Sequence, residues 1–206
     1  MSSSSELQLE VAVARPEHTA MLVALFERTG TPCHCQYWHF TGDKNAWLDR
    51  LFHAPEQNRA AFVENLATAH AELRGVVALH AGRAVGWLKL CPAEHVPKLY
   101  DQRLYRGLPA LSGPREGVLT VGCLLVDDEF RRRGVAQALV EQSVVLGRAH
   151  GARCIEAFPR RSEEAGAAEL WTGPFRIFER AGFKIVNDFG PYPVLRYDFT
   201  GIQPHG

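Results

Sequence analysis

The spacing of apolar and polar residues divides the first third of the chain into a strand and helices. Residues 7–16 alternate apolar and polar side chains, which predicts a half-buried strand. Apolar residues then recur with helical spacing as far as Gly30, and Pro16 suits the first position of that helix. A second helical region is predicted from about residue 45 to 70, with a break near Pro55.

The middle of the chain combines a hairpin, a long loop and a buried strand followed by a helix. The apolar runs on either side of Gly82 predict a β-hairpin. The segment from Pro92 to Gly117 carries four prolines and no long apolar period, so we expect a lid or substrate loop rather than core. Residues 117–126 are apolar enough for a central strand buried on both faces.

A helix is predicted after this strand, from about Arg133 to a stop at Gly151. Its apolar face is expected to contain Val135, Leu139, Leu146 and Ala149. The remaining chain predicts a strand at 152–158, a polar loop at 160–170, a helix from Pro174 to Gly182 and two last strands. This order indicates an α/β (α+β) domain with a strand–turn–helix unit at its middle.

Composition limits the classes of protein to be considered. With 206 residues, of which 46% are apolar and 22% charged, the chain suits one globular domain. We expect a mobile Ser-rich start at residues 1–6, a domain over residues 7–200 and a tail at 201–206. Basic and acidic residues balance at 23 each, which argues against nucleic acid or a membrane surface as a partner. The five cysteines are irregularly spaced, which indicates reduced thiols rather than a disulfide framework. Because we find neither a long apolar run nor a secretory signal, we expect a cytoplasmic protein.

The turn after the central strand has the character of an anion site. Arg131, Arg132 and Arg133 come at the expected start of a helix, where positive charge opposes the helix dipole unless an anion compensates it. Gly134 and the small Ala136 leave room for a phosphate to approach the free N–H groups of the first turn. The alternative is a solvated arginine cluster that residues 127–129, Asp-Asp-Glu, neutralise.

The spacing Arg131-x-x-Gly134-x-Ala136 after a strand that ends at Val126 resembles the cofactor signature of the GNAT acetyltransferase superfamily. The segment FERAGF at residues 178–183 resembles the late helix-to-strand segment of the same family, in the expected order. The resemblance extends from about Leu7 to Phe199. It implies a single GNAT-like domain whose central, mostly antiparallel mixed sheet is flanked by helices and opens where the central strand parts from its neighbour.

The resemblance also implies acetyl-CoA as co-substrate, with no metal expected. Leu124, Leu125 and Val126 then offer strand backbone to the pantetheine, and a backbone N–H at Leu124 or Leu125 serves the developing oxyanion. The pyrophosphate lies in a turn formed by Arg131, Arg132, Arg133, Gly134, Val135 and Ala136. The expected acceptor is a primary amine of a small molecule or peptide, and the family pattern allows a homodimer.

The chain departs from the family at the positions of the usual acid and base. Phe178 stands where a tyrosine is frequent, Trp171 where an asparagine is frequent, and the central strand has no glutamate. Cys123 lies on that strand, as a buried structural thiol or near the reacting carbon. Other candidates are Tyr100, Tyr105, His95, Glu94, His80, Tyr37, Tyr192 and Tyr197, and an ordered water chain is an alternative; the catalytic residues stay unknown.

Two further alternatives follow from the residues. Cys33, His34, Cys35 and His39 are zinc-type ligands, but a Cys-x-Cys without a second cysteine pair is poor for a closed site. We expect them instead to line or support the acceptor pocket together with the neighbouring aromatic residues. Because fold does not fix function, a non-catalytic acyl-CoA-binding sensor or interaction module is the alternative to an enzyme.

Overall fold

The computed structural model describes residues 7–69, 72–161 and 171–199. It contains seven strands: β1 Glu10–Val13, β2 Gly75–His80, β3 Arg83–Pro92, β4 Val118–Val126, β5 Cys154–Ala157, β6 Lys184–Asn187 and β7 Val194–Asp198. The α-helices are α1 Thr19–Arg28, α2 Lys44–His53, α3 Pro55–Ala67, α4 Pro97–Tyr100, α5 Val135–Ala149 and α6 Phe175–Arg180. Within the described ranges, none of the helices combines the length and apolar character needed to cross a bilayer.

The strands form one mixed sheet in the order β1-β2-β3-β4-β5-β7-β6. The pair β4–β5 is parallel, and the other neighbouring pairs are antiparallel. The hairpin of β2 and β3 closes through Ala81 and Gly82, both with positive φ, as a two-residue turn matching the twist of its strands requires. The predicted α/β class and mostly antiparallel sheet are therefore confirmed.

Helices cover both faces of the sheet, so its central strand is buried, as its apolar sequence predicted. On one face α5 packs against a cluster that includes Leu119, Val121, Leu124 and Val126 of β4. On the other face α1 and α3 pack against Trp87 of β3 and against Cys123.

A bulge in β4 explains why the residues on its two faces do not alternate strictly. Lys89 of β3 pairs with Cys123 and Leu90 pairs with Val121, which leaves Gly122 without a partner in the register. A Cβ at Gly122 would lie 3.2 Å from Cδ of Lys89 and 3.3 Å from Cδ1 of Trp38. Glycine therefore lets both side chains close over the strand at this point.

The parallel pair β4–β5 separates part-way along its length. Its register runs from Val118↔Cys154 to Val121↔Ala157, whereas β4 continues to Val126. The predicted opening beside the central strand is thus present at Gly122–Val126.

Three predictions need correction. Helix α5 begins at Val135, so Arg133 lies in the turn before the helix and not in its first turn. Ala149 is exposed, because Ser143 and Gly147 occupy the buried face near that end. The segment 92–117 is more than a loop, since Val96, Leu99, Tyr100 and Leu111 are buried in a third cluster. Most of the predicted polar loop, residues 162–170, lies outside the described residues.

Candidate functional site

Asp127 fixes the turn that joins β4 to α5. Its backbone N–H donates to the Val85 carbonyl at 3.0 Å, and its carboxylate accepts from Arg28 at 3.1 Å and Arg83 at 2.7 Å. Burial opposes ionisation here, but the hydrogen bonds from Arg83 and Arg28 lower the pKa of Asp127 below its usual value. The end of β4 is thereby held to α1 and β3 by a carboxylate that stays charged at neutral pH.

A cavity of about 340 Å³ lies at the start of α5, between the turn and α6; we call it the arginine cavity. Its walls are Val126, Phe130, Arg131, Arg132, Gly134, Val135, Ala136, Gln137, Pro174, Ile177 and Arg180. Six of the nine predicted cofactor residues therefore meet here. Leu124, Leu125 and Arg133 do not line this cavity.

The three arginines of the turn are exposed, and only one of them has a carboxylate partner among the described residues. Arg131 pairs with Asp128 at 2.5 Å. Asp127 and Glu129 pair with other arginines, and Arg133 lies over the Phe130 ring at 5.8 Å. The alternative of a neutralised cluster thus holds for Arg131 but not for Arg132 and Arg133.

The backbone of the turn leaves donors and space for an anion. Within the described chain, residues 132–136 donate no backbone hydrogen bond outside the helix, and the first N–H groups of a helix have no partner within it. Gly134 has φ +84°, and a Cβ built on it would meet nothing within 4 Å. Free donors, guanidinium groups and an unfilled recess together fit a diphosphate.

A backbone donor of β4 lies at the opening beside the strand. The N–H of Leu124 points away from β3 and donates to the Trp171 carbonyl at 2.7 Å. The sequence predicted a backbone N–H at Leu124 or Leu125 as the donor to the developing oxyanion. A substrate carbonyl can use it only after the Trp171 carbonyl has been displaced, because an N–H donates well to one acceptor at a time.

A second cavity, of about 420 Å³, adjoins this opening; we call it the aromatic cavity. Its walls are Trp38, Leu99, Gln102, Arg103, Leu104, Tyr105, Phe158, Arg160, Trp171, Thr172 and Tyr192. The rings of Trp38 and Trp171 lie 5.4 Å apart, and those of Tyr105 and Phe158 lie 4.7 Å apart. Burial raises the pKa of Tyr105 to about 12, so its phenol stays protonated at neutral pH.

A buried polar network connects β4, β5 and β7 below the opening. Glu156 is 3% exposed and accepts hydrogen bonds from Tyr100 at 2.8 Å and from Arg196 at 2.6 Å. Tyr100 is also hydrogen-bonded to Thr120, the cross-strand neighbour of Glu156. Burial and the carboxylate of Glu156 raise the pKa of Tyr100, so this phenol cannot act as a base. Tyr100 was among the candidates predicted from the sequence, whereas Glu156 was missed, since a lone glutamate in a short strand gives no signal.

The Cys-x-Cys segment divides between core and cavity. Cys35 is buried and accepts from the indole Nε1 of Trp87 at 3.3 Å, whereas Trp38, three residues later, lines the aromatic cavity. Burial opposes ionisation of Cys35, but the Cys123 thiol and Lys89 lower its pKa, and the pKa of Cys123 is raised in turn. Among the described residues, no three His, Cys, Asp or Glu side chains are grouped to hold a metal.

The candidate acids and bases are scattered. Tyr105 and Tyr192 line the aromatic cavity, and Tyr37 packs on Trp38. The others lie elsewhere: His80 is bonded to the Gln8 carbonyl, His95 is near Glu72, Glu94 is exposed, and Tyr197 packs between Phe183 and Phe199. Arg103, Phe158 and Arg160 also line the aromatic cavity, but they belong to no motif in the sequence.

The model of the acetyltransferase (GNAT) family matches residues 34–172, about two thirds of the chain. The chain belongs to this family. No curated protein sequence is significantly similar to this GNAT protein. The matched range includes β4, the turn after it and α5.

Solved structures share the GNAT fold over nearly the whole chain. The PaiA N-acetyltransferase of Thermoplasma acidophilum, in complex with coenzyme A, is 9% identical with a TM-score of 0.56 and covers 93% of this chain and 99% of its own. The ribosomal-protein-S5-alanine acetyltransferase of Vibrio fischeri is 11% identical with a TM-score of 0.57, and the match covers 95% of this chain and 96% of the Vibrio chain. A putative acetyltransferase of Salmonella typhimurium, with its cofactor acetyl-CoA, is 12% identical with a TM-score of 0.52, and the match covers 92% of this chain and 93% of the Salmonella chain. At these identities the likeness establishes the fold.

Proposed function

We propose that the protein is an N-acetyltransferase that transfers the acetyl group of acetyl-CoA to a primary amine of a small molecule or peptide. The observation that carries the proposal is the position of two cavities along the part of β4 that extends beyond its pairing with β5. The arginine cavity lies at the start of α5, and the aromatic cavity contains Trp171, whose carbonyl accepts from the Leu124 N–H. The first cavity suits the phosphates of a coenzyme, and the second suits an organic acceptor.

In this proposal the arginine cavity holds the pyrophosphate. Arg132 supplies positive charge, Arg131 lines the cavity while paired with Asp128, and the N–H groups at the start of α5 donate to phosphate oxygens. The free edge of β4 from Leu124 to Val126 pairs with the pantetheine as an added strand does. Family membership supports this arrangement, and acetyl-CoA supplies an activated acyl thioester when bound.

The Leu124 N–H then donates to the thioester carbonyl, where negative charge develops as the amine attacks. Such a fixed donor is typically worth ~3 kcal/mol of barrier when it faces the oxyanion. The Trp171 carbonyl must leave this N–H first, so the coenzyme and the 171–174 segment compete for one strand edge. The aromatic cavity holds the acceptor in line with the thioester, which by itself lowers the barrier to reaction.

The test combines binding and turnover. Isothermal titration calorimetry with CoA and acetyl-CoA measures the first, and chromatographic detection of CoA released from acetyl-CoA over a panel of amines measures the second. We expect micromolar binding that is at least tenfold weaker in Arg132→Glu, and amine-dependent CoA release. Absence of heat with either ligand refutes the coenzyme site, whereas tight binding without turnover favours a non-catalytic acyl-CoA sensor.

A further inference from the structure

Two buried thiols meet on the face of the sheet that α1 and α3 cover. Cys35 is 4% exposed and Cys123 is 7% exposed, and both belong to the cluster that packs against Trp87. The Cys123 thiol donates a hydrogen bond to the sulfur of Cys35, so the two sulfur atoms are neighbours. The fold thus brings together two cysteines that are far apart in the sequence, and the proposed transfer uses neither of them.

Hydrogen-bond donors and positive charge surround the sulfur of Cys35. The indole Nε1 of Trp87 donates to it at 3.3 Å, in addition to the Cys123 thiol. Lys89 follows Trp87 on the same face of β3 and is 5% exposed, and no carboxylate pairs with it in the described part of the chain. Burial alone raises the pKa of Cys35, but the Cys123 hydrogen bond and the Lys89 charge bring it below its usual value. The cluster therefore favours a thiolate at Cys35.

The backbone holds Cys35 in this position by an uncommon turn. His34 and Cys35 have φ of +43° and +55°, a left-handed region that residues other than glycine rarely adopt. The Gln36 N–H closes the turn on the Cys33 carbonyl at 2.8 Å. Such conformations persist where the surrounding structure enforces them, and they concentrate at functional positions. The turn directs Cys35 to the sheet, whereas Cys33 stays half-buried.

The other cysteines have surroundings that favour the unreactive thiol. Burial and the nearby Cys35 raise the pKa of Cys33, and burial with Glu156 raises the pKa of Cys154 to about 11. Because the thiolate is the form that reacts with a peroxide, Cys35 is the candidate for oxidation. A cavity of about 410 Å³ between α1 and α3 reaches this segment, since Pro32 and His34 are among its walls.

We propose that Cys35 and Cys123 are a redox pair, which hydrogen peroxide joins in a disulfide. The Cys35 sulfur attacks one peroxide oxygen, so the O–O bond breaks, hydroxide leaves and a sulfenic acid forms on Cys35. The Cys123 sulfur then attacks the Cys35 sulfur. The S–O bond breaks, the S–S bond forms, and the hydroxyl group leaves as water with the proton of Cys123. The two sulfur atoms lose two electrons in all, and the peroxide takes them up.

This disulfide would tie the Cys-x-Cys segment to β4 at the opening. Cys123 lies between Gly122, whose carbonyl accepts from the Trp38 indole at 2.8 Å, and Leu124, whose N–H donates to the Trp171 carbonyl at 2.7 Å. The rings of Trp38 and Trp171 are themselves in contact, with centroids 5.4 Å apart. A cross-link at Cys123 therefore restrains the displacement of the Trp171 carbonyl that the proposed transfer requires.

Peptide mapping tests the pair without any substrate. The reduced protein is treated with hydrogen peroxide, blocked with N-ethylmaleimide and digested with trypsin under non-reducing conditions. Trypsin leaves Cys33 and Cys35 in the peptide 29–44 and Cys123 in the peptide 116–131. We expect these two peptides to be linked in the wild type and in Cys33→Ser but not in Cys35→Ser, with Cys154 alkylated throughout. A link that needs Cys33 instead of Cys35, a disulfide within 29–44, or no disulfide in the folded protein overturns the proposal.

The variant Lys89→Met tests the buried charge. Methionine keeps an unbranched side chain but removes the ammonium group, so the rate of cross-linking at pH 7 should fall at least fivefold. The matched control Lys184→Met changes an exposed lysine on β6 and should react as the wild type does. Circular dichroism confirms that each variant is folded. An unchanged rate in folded Lys89→Met contradicts the thiolate at Cys35.

The effect on catalysis rests on the proposed function and is measured separately, as amine-dependent CoA release. Cross-linked wild type should release CoA at least fivefold more slowly than the reduced protein, and dithiothreitol should restore the rate. Peroxide should leave the rate of Cys35→Ser unchanged. Equal rates of reduced and cross-linked wild type overturn the restraint on β4. If the reduced protein turns over no amine, the proposed function fails, whereas the peptide map still decides the redox pair.

Discussion

Replacement of Gly134 by leucine tests whether the recess at the start of α5 is a phosphate site. Gly134 has φ +84°, a backbone region that costs an L-residue roughly 1–2 kcal/mol. For a chain of this size that strain lowers Tm by roughly 2–8 °C. A Cβ at this position would meet no protein atom within 4 Å, so the added side chain strains the backbone and projects into free space.

The other end of the same helix offers a matched control. Gly151 follows α5, has φ +65° and likewise has no atom within 4 Å of a built Cβ, but lies a helix length from the arginine cavity. Gly151→Leu should therefore reproduce the loss of Tm without affecting ligand binding. Differential scanning fluorimetry measures the strain in both variants.

The two variants should differ in their affinity for CoA. If the pyrophosphate lies against Gly134, a leucine side chain keeps it away from several N–H donors of the turn. Each charge-assisted hydrogen bond lost in this way is worth ~1.5–3 kcal/mol. We expect at least a hundredfold weaker binding in Gly134→Leu, about 2.7 kcal/mol, and unchanged binding in Gly151→Leu. Titration calorimetry measures both. If both variants bind CoA as the wild type does, the recess is not the phosphate site and the reasoning fails.

Three other outcomes are expected. The double variant Arg132→Glu/Arg133→Glu should bind CoA at least tenfold more weakly at low salt. Its Tm should not fall, because carboxylates suit a helix N-terminus. Arg148→Glu at the far end of α5 is the control, and equal CoA affinity in the wild type and both variants would show that Arg132 and Arg133 do not bind the coenzyme. Glu156→Gln removes the buried carboxylate that pairs with the half-buried Arg196 and should lower the free energy of urea unfolding by about 3 kcal/mol. The exposed Glu94→Gln should cost less than about 0.5 kcal/mol, and similar losses in the two variants would contradict the network. Burial, with Lys89 and Arg74 nearby, lowers the pKa of His39 to about 3, so below pH ~6.5 the unfolded chain binds a proton that the folded chain does not. The free energy of unfolding should therefore decrease by about 1–2 kcal/mol as the pH is lowered from 7 to 5, and by less in His39→Gln. The same decrease in that variant would show that other groups cause it.

Local chemistry was enough to predict most elements of the fold. The apolar run at 117–126 predicted a strand buried on both faces, and Gly82 predicted the hairpin turn, because both signals come from adjacent residues. The spacing of Arg131, Gly134 and Ala136 likewise identified the strand–turn–helix unit. Since a helix start and its free N–H groups are properties of a few consecutive residues, the turn that we propose as the phosphate site could be located without a structure.

Only the tertiary structure decided which groups meet at the opening. The bulge at Gly122, the contact of the Trp171 carbonyl with Leu124, and the network of Glu156, Tyr100 and Arg196 join segments far apart in the chain. Strand register and loop packing depend on long-range contacts, which leave no periodic signal in the sequence. The pattern of residues thus determined the sheet and the strand–turn–helix unit, and packing across β4 and β5 determined the aromatic cavity.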